Sequence, residues 1–230
     1  MILGLDTSGA ISVAVCDDDG EKVLAANLDS RSRHHAEVLV PLIDATLEQA
    51  GGTRADVSAV VVGRGPGPFT GLRVGLVTAR SIAAVLGVPL HGVCSLDGLA
   101  LQAAQEALPG KRGRIAVALD ARRREVYYRS YEFTADGWRA EGEPAVAKPA
   151  DVAEQLAGAD LRVGRGAMAY PELLAPSAGE ELADVAAEWL IRAAFARQPL
   201  GGMDTSSSEP LYLREPDAAL PTKRKSALGL

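Results

Sequence analysis

Gly63-Arg64-Gly65-Pro66-Gly67-Pro68-Phe69-Thr70-Gly71-Leu72-Arg73-Val74-Gly75 is the stretch from which the rest of the chain can be placed. Val57 to Val62 before it is a short β-branched run that reads as a buried strand, and the proline-free apolar segment Leu72 to Leu86 after it reads as a helix. The motif is therefore a strand-to-helix turn. Its alternating glycines permit close backbone approach, while Pro66 and Pro68 fix their own φ and push Gly65 and Gly67 out of the α region, which predicts a stiff loop. Thr70 is placed to cap a helix opening at Gly71, and the amides gathered there could face an anion or a partner's carboxylate. A rigid turn that simply feeds a helix explains the same residues. Two nucleotide motifs fail: no lysine stands where a Walker A loop needs one, and a dinucleotide fingerprint has no prolines between its glycines.

Gly71, Gly75, Ala79 and Ala83 recur every four residues along the helix of residues 71–87 and form one stripe without bulk, flanked by Val74, Ile82 and Leu86. The stripe either packs on the chain's own sheet or belongs to a helical docking surface. A helix apolar on nearly every side has room for both, because each apolar face needs something to bury against.

Outward from this helix the pattern is mixed α/β. Ile2 to Leu5, Ile11 to Cys16 and Val23 to Leu28 read as strands joined by tight turns, followed by a helix from His34 to Ala50 interrupted by Pro41. Strand Pro89 to Val93 and a helix from Leu96 to Ala107 lead to Leu108-Pro109-Gly110, the expected boundary between lobes of residues 1–108 and 109–230. Ile115 to Leu119 is again an apolar strand ending in an aspartate, Asp120, and two more strands follow it, Glu125 to Phe133 and Trp138 to Glu141. The opening pattern thus recurs and suggests a duplication. Ala150 to Leu156, Tyr170 to Leu174 and Gly179 to Arg197 read as helices and Leu161 to Val163 as a strand; from about residue 202 the chain is irregular, with Lys223-Arg224-Lys225 as a solvated basic tail.

With 30 Asp and Glu against 24 Lys and Arg, the 230-residue chain is acidic, which argues against nucleic-acid binding by the surface as a whole and leaves room only for a local basic patch. Cys16 and Cys94 are expected to be buried free thiols, and the start Met1-Ile2-Leu3-Gly4-Leu5-Asp6 lacks a basic leader. With no apolar run expected to approach the length of a membrane span, the cytoplasm is the expected location.

An Asp-ended strand opening each of two α/β lobes resembles the actin, hexokinase and heat-shock ATPase superfamily. In that layout Asp6, Thr7 and Ser8 would be the nucleotide-binding residues, while Asp120-Ala121-Arg122-Arg123-Arg124 offers bulk where backbone approach to phosphate needs glycine. More closely, Leu3 to Ser8, Gly65 to Gly75, Asp120 to Tyr127 and Pro210-Leu211-Tyr212-Leu213-Arg214 together resemble the TsaB family from end to end. That resemblance implies a non-catalytic subunit that dimerises when alone and pairs through a helical bundle with the catalytic paralogue TsaD. With the ATPase TsaE it would support threonylcarbamoyl transfer to tRNA, reaching the tRNA only through the complex. It implies no cofactor in the isolated chain, with ATP or ADP only within the complex. The catalytic paralogue holds its metal with His-x-x-x-His, where this chain reads Ser95-Leu96-Asp97-Gly98-Leu99, and Ser and Leu cannot replace imidazoles. Of the histidines present, the adjacent His34 and His35 diverge on a helix and cannot readily share an ion, and His91 is expected to be a satisfied core or edge residue. The competing functions are an active ATP-dependent small-molecule kinase or carbamoyl transferase of the same superfamily, and a metallopeptidase, for which ligands are lacking.

Overall fold

The computed structural model describes residues 1–30, 35–108, 110, 112–195 and 205–214. His34, Gly201-Gly202 and the Lys223-Arg224-Lys225 tail lie outside the described residues.

The first lobe runs β1 (Ile2–Asp6), β2 (Ile11–Cys16), β3 (Val23–Asp29), α1 (His35–Gln49), β4 (Ala59–Gly63), α2 (Phe69–Leu86), β5 (Leu90–Val93) and α3 (Ser95–Glu106). The second runs β6 (Gly113–Asp120), β7 (Val126–Thr134), β8 (Gly137–Ala147), α4 (Pro149–Ala157), β9 (Leu161–Val163), α5 (Arg165–Ala169), α6 (Pro171–Leu174) and α7 (Ala187–Phe195). Two sheets result, ordered β3-β2-β1-β4-β5 and β8-β7-β6-β9. In each, the first strand of the lobe pairs antiparallel with the second and parallel with the fourth, so β1 and β6 hold equivalent places. This is the duplicated, two-lobed mixed-sheet fold that the recurrence suggested, with Asp6 and Asp120 at the ends of the two equivalent strands.

The elements stack in alternating layers. The apolar stripes of α1 (Leu39, Ile43, Leu47) and α2 (Leu72, Leu76, Ala79) cover one face of the first sheet, where Leu3, Leu5, Val13 and Val60 point. On the other face, α3 and α7 fill the space between the two sheets and join the largest core. Helices α4, α5 and α6 close the far face of the second sheet.

Three departures from the sequence reading have plain causes. Helix α2 opens at Phe69, with Pro68 at the capping position, so Thr70 lies inside the first turn and caps nothing. The single helix expected over Gly179 to Arg197 divides into a 3-10 turn at Glu180–Leu182 and α7, which returns to lie against β1, β2 and β4 of the first sheet. An end of the first lobe drawn at residue 108 therefore leaves out a helix that the first lobe buries. Finally, α2 has 18 residues and is, by length and composition alone, apolar enough to cross a membrane, against the expectation that no run approached that length. It also carries Arg73 and Arg80 and buries Gly71, Leu72, Gly75, Leu76, Ala79 and Ala83 on its own sheet.

Candidate functional site

Cavities open on both sides of the Asp120–Glu125 hairpin turn, where the lobes face one another. One, about 450 Å³, is lined by Thr7, Ser8, Gly71, Arg122, Arg165 and Asp184 among others; the second, about 250 Å³, lies among Pro68, Thr70, Arg123, Tyr127, Tyr212 and Arg214. The first is the cleft between the lobes, with the β1–β2 turn on one side and the Asp120–Glu125 turn and Arg165 on the other.

The residues expected to hold a nucleotide have their polar atoms engaged elsewhere. Ser8 donates from its Oγ (2.6 Å) and its amide (2.8 Å) to Asp6 Oδ1, and Ser95 Oγ donates to Asp6 Oδ2 at 2.6 Å. Burial pushes the Asp6 carboxyl up to about 6, against the lowering effect of those hydrogen bonds. Thr7 Oγ1 donates to the carbonyl of Gly71 at 2.8 Å, which ties the β1–β2 turn to the first turn of α2. All three side chains are buried, and their carboxyl and hydroxyls tie together the junction between β1, α2 and α3. Across the cleft Arg165 pairs with Asp184 (2.6 Å) and Glu180 (2.9 Å), and Arg122 with Asp120 (3.0 Å). The cleft thus neutralises its own charges.

The glycine-proline loop is likewise satisfied from within. Gly65, Pro66 and Gly67 are buried and Pro68 half-buried, with a cis peptide between Gly65 and Pro66. The amide of Ser95 donates to the Gly65 carbonyl, the Gly65 amide to Ser95 Oγ, and Tyr127 Oη to the Gly67 carbonyl from the second lobe. Only Thr70 is exposed. The loop acts as a rigid turn that feeds α2 and links the lobes.

The small-residue stripe of α2 faces inward. Gly71, Gly75, Ala79 and Ala83 are buried and Val74 and Ile82 half-buried. A Cβ on Gly75 would lie 2.3 Å from Thr7 Oγ1, so the absence of a side chain there lets α2 approach its own strand end. Of the two readings of the stripe, packing on the chain's own sheet is the one that its buried glycines and alanines fit. The outward face of α2 carries Val77 (61% exposed) and Val85 (85% exposed), joined on α1 by Val40 (41% exposed).

Sequence reasoning missed two further features. Residues 205–214 run as a strap past the edge of the first sheet: the Gly92 amide donates to Thr205, Arg80 holds Ser208 and Glu209, and Tyr212 packs on Phe69 with ring centroids 5.0 Å apart. Arg214 then reaches Glu125 and the carbonyl of Ala121 in the second lobe. The Tyr-Leu-Arg motif was the available signal, but its destination was not legible. Second, Asp97 is buried between the sheets, accepting from Tyr131 Oη at 2.6 Å and pairing with Arg129 at 3.1 Å. That buried pair sits inside the segment that replaces the metal motif. Ser95 and Leu99, at the two imidazole positions, are a hydrogen-bonded hydroxyl and a fully buried apolar side chain. Among the described residues no group of three His, Cys, Asp or Glu could hold a metal. His91 is half-buried beside Thr205 and edge-on to Phe195, and both cysteines are buried free thiols.

Residues 23–171 match the protein family described as "TsaD: tRNA N6-adenosine threonylcarbamoyltransferase". An uncharacterised protein of Mycobacterium tuberculosis is 39% identical over 222 residues, covering 94% of this chain and 93% of that protein. The tRNA threonylcarbamoyladenosine biosynthesis protein TsaB of Escherichia coli is 34% identical over 225 residues, covering 93% of this chain and 94% of its own length. Among solved structures, YeaZ from Pseudomonas aeruginosa superimposes with a TM-score of 0.75 at 32% identity, over 92% of this chain and 99% of that one.

Proposed function

The chain belongs to the TsaB family of tRNA threonylcarbamoyladenosine biosynthesis proteins, and from that premise we propose that it is a non-catalytic, cytoplasmic subunit that pairs with the catalytic paralogue TsaD through the outer face of α1 and α2. In this reading TsaE joins the pair, the transfer of threonylcarbamoyl to adenosine proceeds on TsaD, and this chain supplies the surface that assembles it. The exposed Val77 and Val85 on a helix already packed on its inner side carry the proposal. A two-sided apolar helix with one covered face leaves about one helix face to dock, and large aliphatic side chains exposed together on one face suit a helix partner.

The self-paired arginines and aspartates of the cleft, and the engagement of Asp6, Thr7 and Ser8, support the non-catalytic part. Isothermal titration with ATP and magnesium is expected to give no micromolar binding to the isolated chain; such binding would favour the kinase or transferase reading.

The test of pairing is Val77→Arg. An arginine at the centre of the exposed face would have to be desolvated without a partner on binding, and truncated or charged anchors in such positions commonly cost 2 kcal/mol or more, at least about thirtyfold in affinity. Co-purification with TsaD and size-exclusion of the chain alone should both show loss of association, with the melting temperature unchanged because the side chain is exposed. Retained pairing would place the interface elsewhere and overturn the assignment.

A further inference from the structure

Residues 205–214 form no helix and no strand, and none of them is fully buried, yet they hold one course across the molecule. Ordering a segment that has no ladder of backbone bonds costs conformational entropy, which individual anchors have to offset. The anchors fall on both lobes. On the first, the Gly92 amide donates to the Thr205 carbonyl at 2.9 Å, along the edge of β5. Arg80 of α2 donates to the Ser208 carbonyl (2.9 Å) and pairs with Glu209 (2.7 Å), and the Leu211 amide donates to the carbonyl of Arg64 in the glycine-proline loop (2.8 Å). Tyr212 packs on Phe69, and its hydroxyl accepts from Arg73 Nε at 3.2 Å while the Arg73 guanidinium lies over the Phe69 ring. The strand edge has made room for this course: a Cβ on Gly92 would fall 2.1 Å from the Ser207 carbonyl oxygen.

On the second lobe the anchor is Arg214. It pairs with Glu125, donates to the Ala121 carbonyl at 2.8 Å and approaches the Tyr127 ring, with 5.8 Å to the centroid. It therefore grips both ends of the β6–β7 turn, which the Ala121 amide closes by donating to the Glu125 carbonyl at 3.0 Å. The place of this grip matters more than its strength. Between the sheets the lobes already meet at Asp97 of α3, bonded to Tyr131 and Arg129 of β7. A single contact of that kind leaves the lobes a rotation about it. The Tyr127 hydroxyl reaches the Gly67 carbonyl only at 3.4 Å, too long to prevent such a rotation alone. Arg214 adds a second attachment at the turn that borders the cleft, and two separated attachments define an angle.

We propose that residues 205–214 are a latch between the lobes, with Arg214 as its catch, and that the latch holds the cleft at one width. Two-lobed folds that close on a ligand do so by rotation about a few hinge residues. Here that rotation has to break the Arg214 contacts, so the lobes move as one body and a molecule in the cleft has no closure to drive. Nothing in this inference depends on pairing with TsaD.

The experiment uses the full chain with nitroxide labels at Glu48→Cys on α1 and Glu154→Cys on α4, two exposed positions on the outer helices of different lobes. Cys16 and Cys94 are buried and do not compete for the label. The labelled chain is diluted into excess unlabelled chain, so that double electron–electron resonance reads distances within one molecule. The wild type is expected to show one narrow distance, unchanged by ATP and magnesium. Arg214→Ala should widen the distribution about twofold, Glu125→Ala should do the same from the other side, and the two together should add nothing, because both remove one contact. Arg214→Lys, which keeps a cation for Glu125, should stay narrower than Arg214→Ala, and Arg139→Gln, at an exposed pair within the second lobe, should change nothing. Hydrogen exchange on the same samples separates a latch from a general contribution to stability. The amides of Leu211, Ala121 and Glu125 should exchange at least about tenfold faster in Arg214→Ala, with β1 and β2 as protected as before. Distributions as narrow in both alanine variants as in the wild type overturn the proposal, and so does a wild-type distance that is broad or that shortens with ATP. Faster exchange throughout the chain overturns it as well. Should Arg214→Ala fail to fold, both readings are taken from Glu125→Ala, where a narrow distance overturns the latch and a widened one with local exchange supports it.

Discussion

Leucine in place of Gly75 is expected to abolish folding of the chain, not merely its association. A Cβ at that position would sit 2.3 Å from Thr7 Oγ1 and 3.3 Å from Thr7 Cβ. Thr7 is fully buried, branched at Cβ, and held by its bond to the Gly71 carbonyl one turn away on the same helix, so its hydroxyl has no free rotamer to retreat into. A leucine needs α2 to move by more than an ångström off the first sheet, which strips Leu72, Leu76 and Ala79 from the core; losses above about 4 kcal/mol come from this class of change. Gly75→Ala should still be destabilising by about 1–3 kcal/mol. That sign is informative, because an exposed helical glycine replaced by alanine gains about 1 kcal/mol from helix propensity. Thr7→Ala, which removes the hydroxyl and the methyl, should rescue Gly75→Ala and not Gly75→Leu. Urea unfolding of the single and double variants checks this. A folded, monomeric Gly75→Leu protein of ordinary stability would return the stripe to the intermolecular interface.

A pattern is legible in the sequence when the residues that fix its meaning are near one another in the chain. Strands β1 and β6 were legible because short apolar runs ending in aspartate carry their own boundaries, and the recurrence of that pattern pointed to the duplicated architecture. The stripe of small residues was equally visible, but periodicity names a face without saying what it meets; only the distance from Gly75 to Thr7 does. Nor could spacing show that Ser95, read as a missing ligand, has a second use as the donor to Asp6, 89 residues away in the chain. The same holds for Tyr212 and Arg214, whose contacts with Phe69 and Glu125 depend on how residues 205–214 return across both lobes. The arginines after Asp120 put bulk where backbone approach to a phosphate needs glycine. Their positive φ was hidden, since a turn signature lacking glycine and asparagine gives no warning of a left-handed backbone.

Asp6 should make the stability of the chain fall as pH rises through the interval from about 4 to about 6. Burial raises its carboxyl from the ordinary 3.8 to about 6, so the folded state holds a proton that the unfolded state has released across that interval. A proton favouring the folded state stabilises it at low pH. The contribution is complete below the unfolded value and is lost as pH climbs through the folded one, and at about 1.4 kcal/mol per pH unit it is on the order of 3 kcal/mol. Asp97 and Glu188, also raised by burial, act in the same direction, whereas Asp18, Asp56 and Glu181, all lowered by hydrogen bonds, act oppositely at lower pH. The difference between wild type and Asp6→Asn isolates the one group. Asparagine keeps an acceptor for Ser8 but presents an NH₂ to Ser95 Oγ, which costs about 1–2 kcal/mol at every pH. Urea unfolding at pH 4.5 should therefore find wild type the more stable, and at pH 7.5 the variant should draw level or lead. Parallel pH profiles for the two proteins would show that Asp6 ionises as a solvated carboxylate does, open to the cleft. The geometry opposes that outcome, because a Cβ on Gly63 would fall 1.8 Å from Asp6 Oδ2 and the Ser95 hydroxyl closes the other side. In a working cleft this aspartate would face a metal or a phosphate as a carboxylate. Here its proton affinity would report that the same strand end has become part of the joint between β1, β4 and α3.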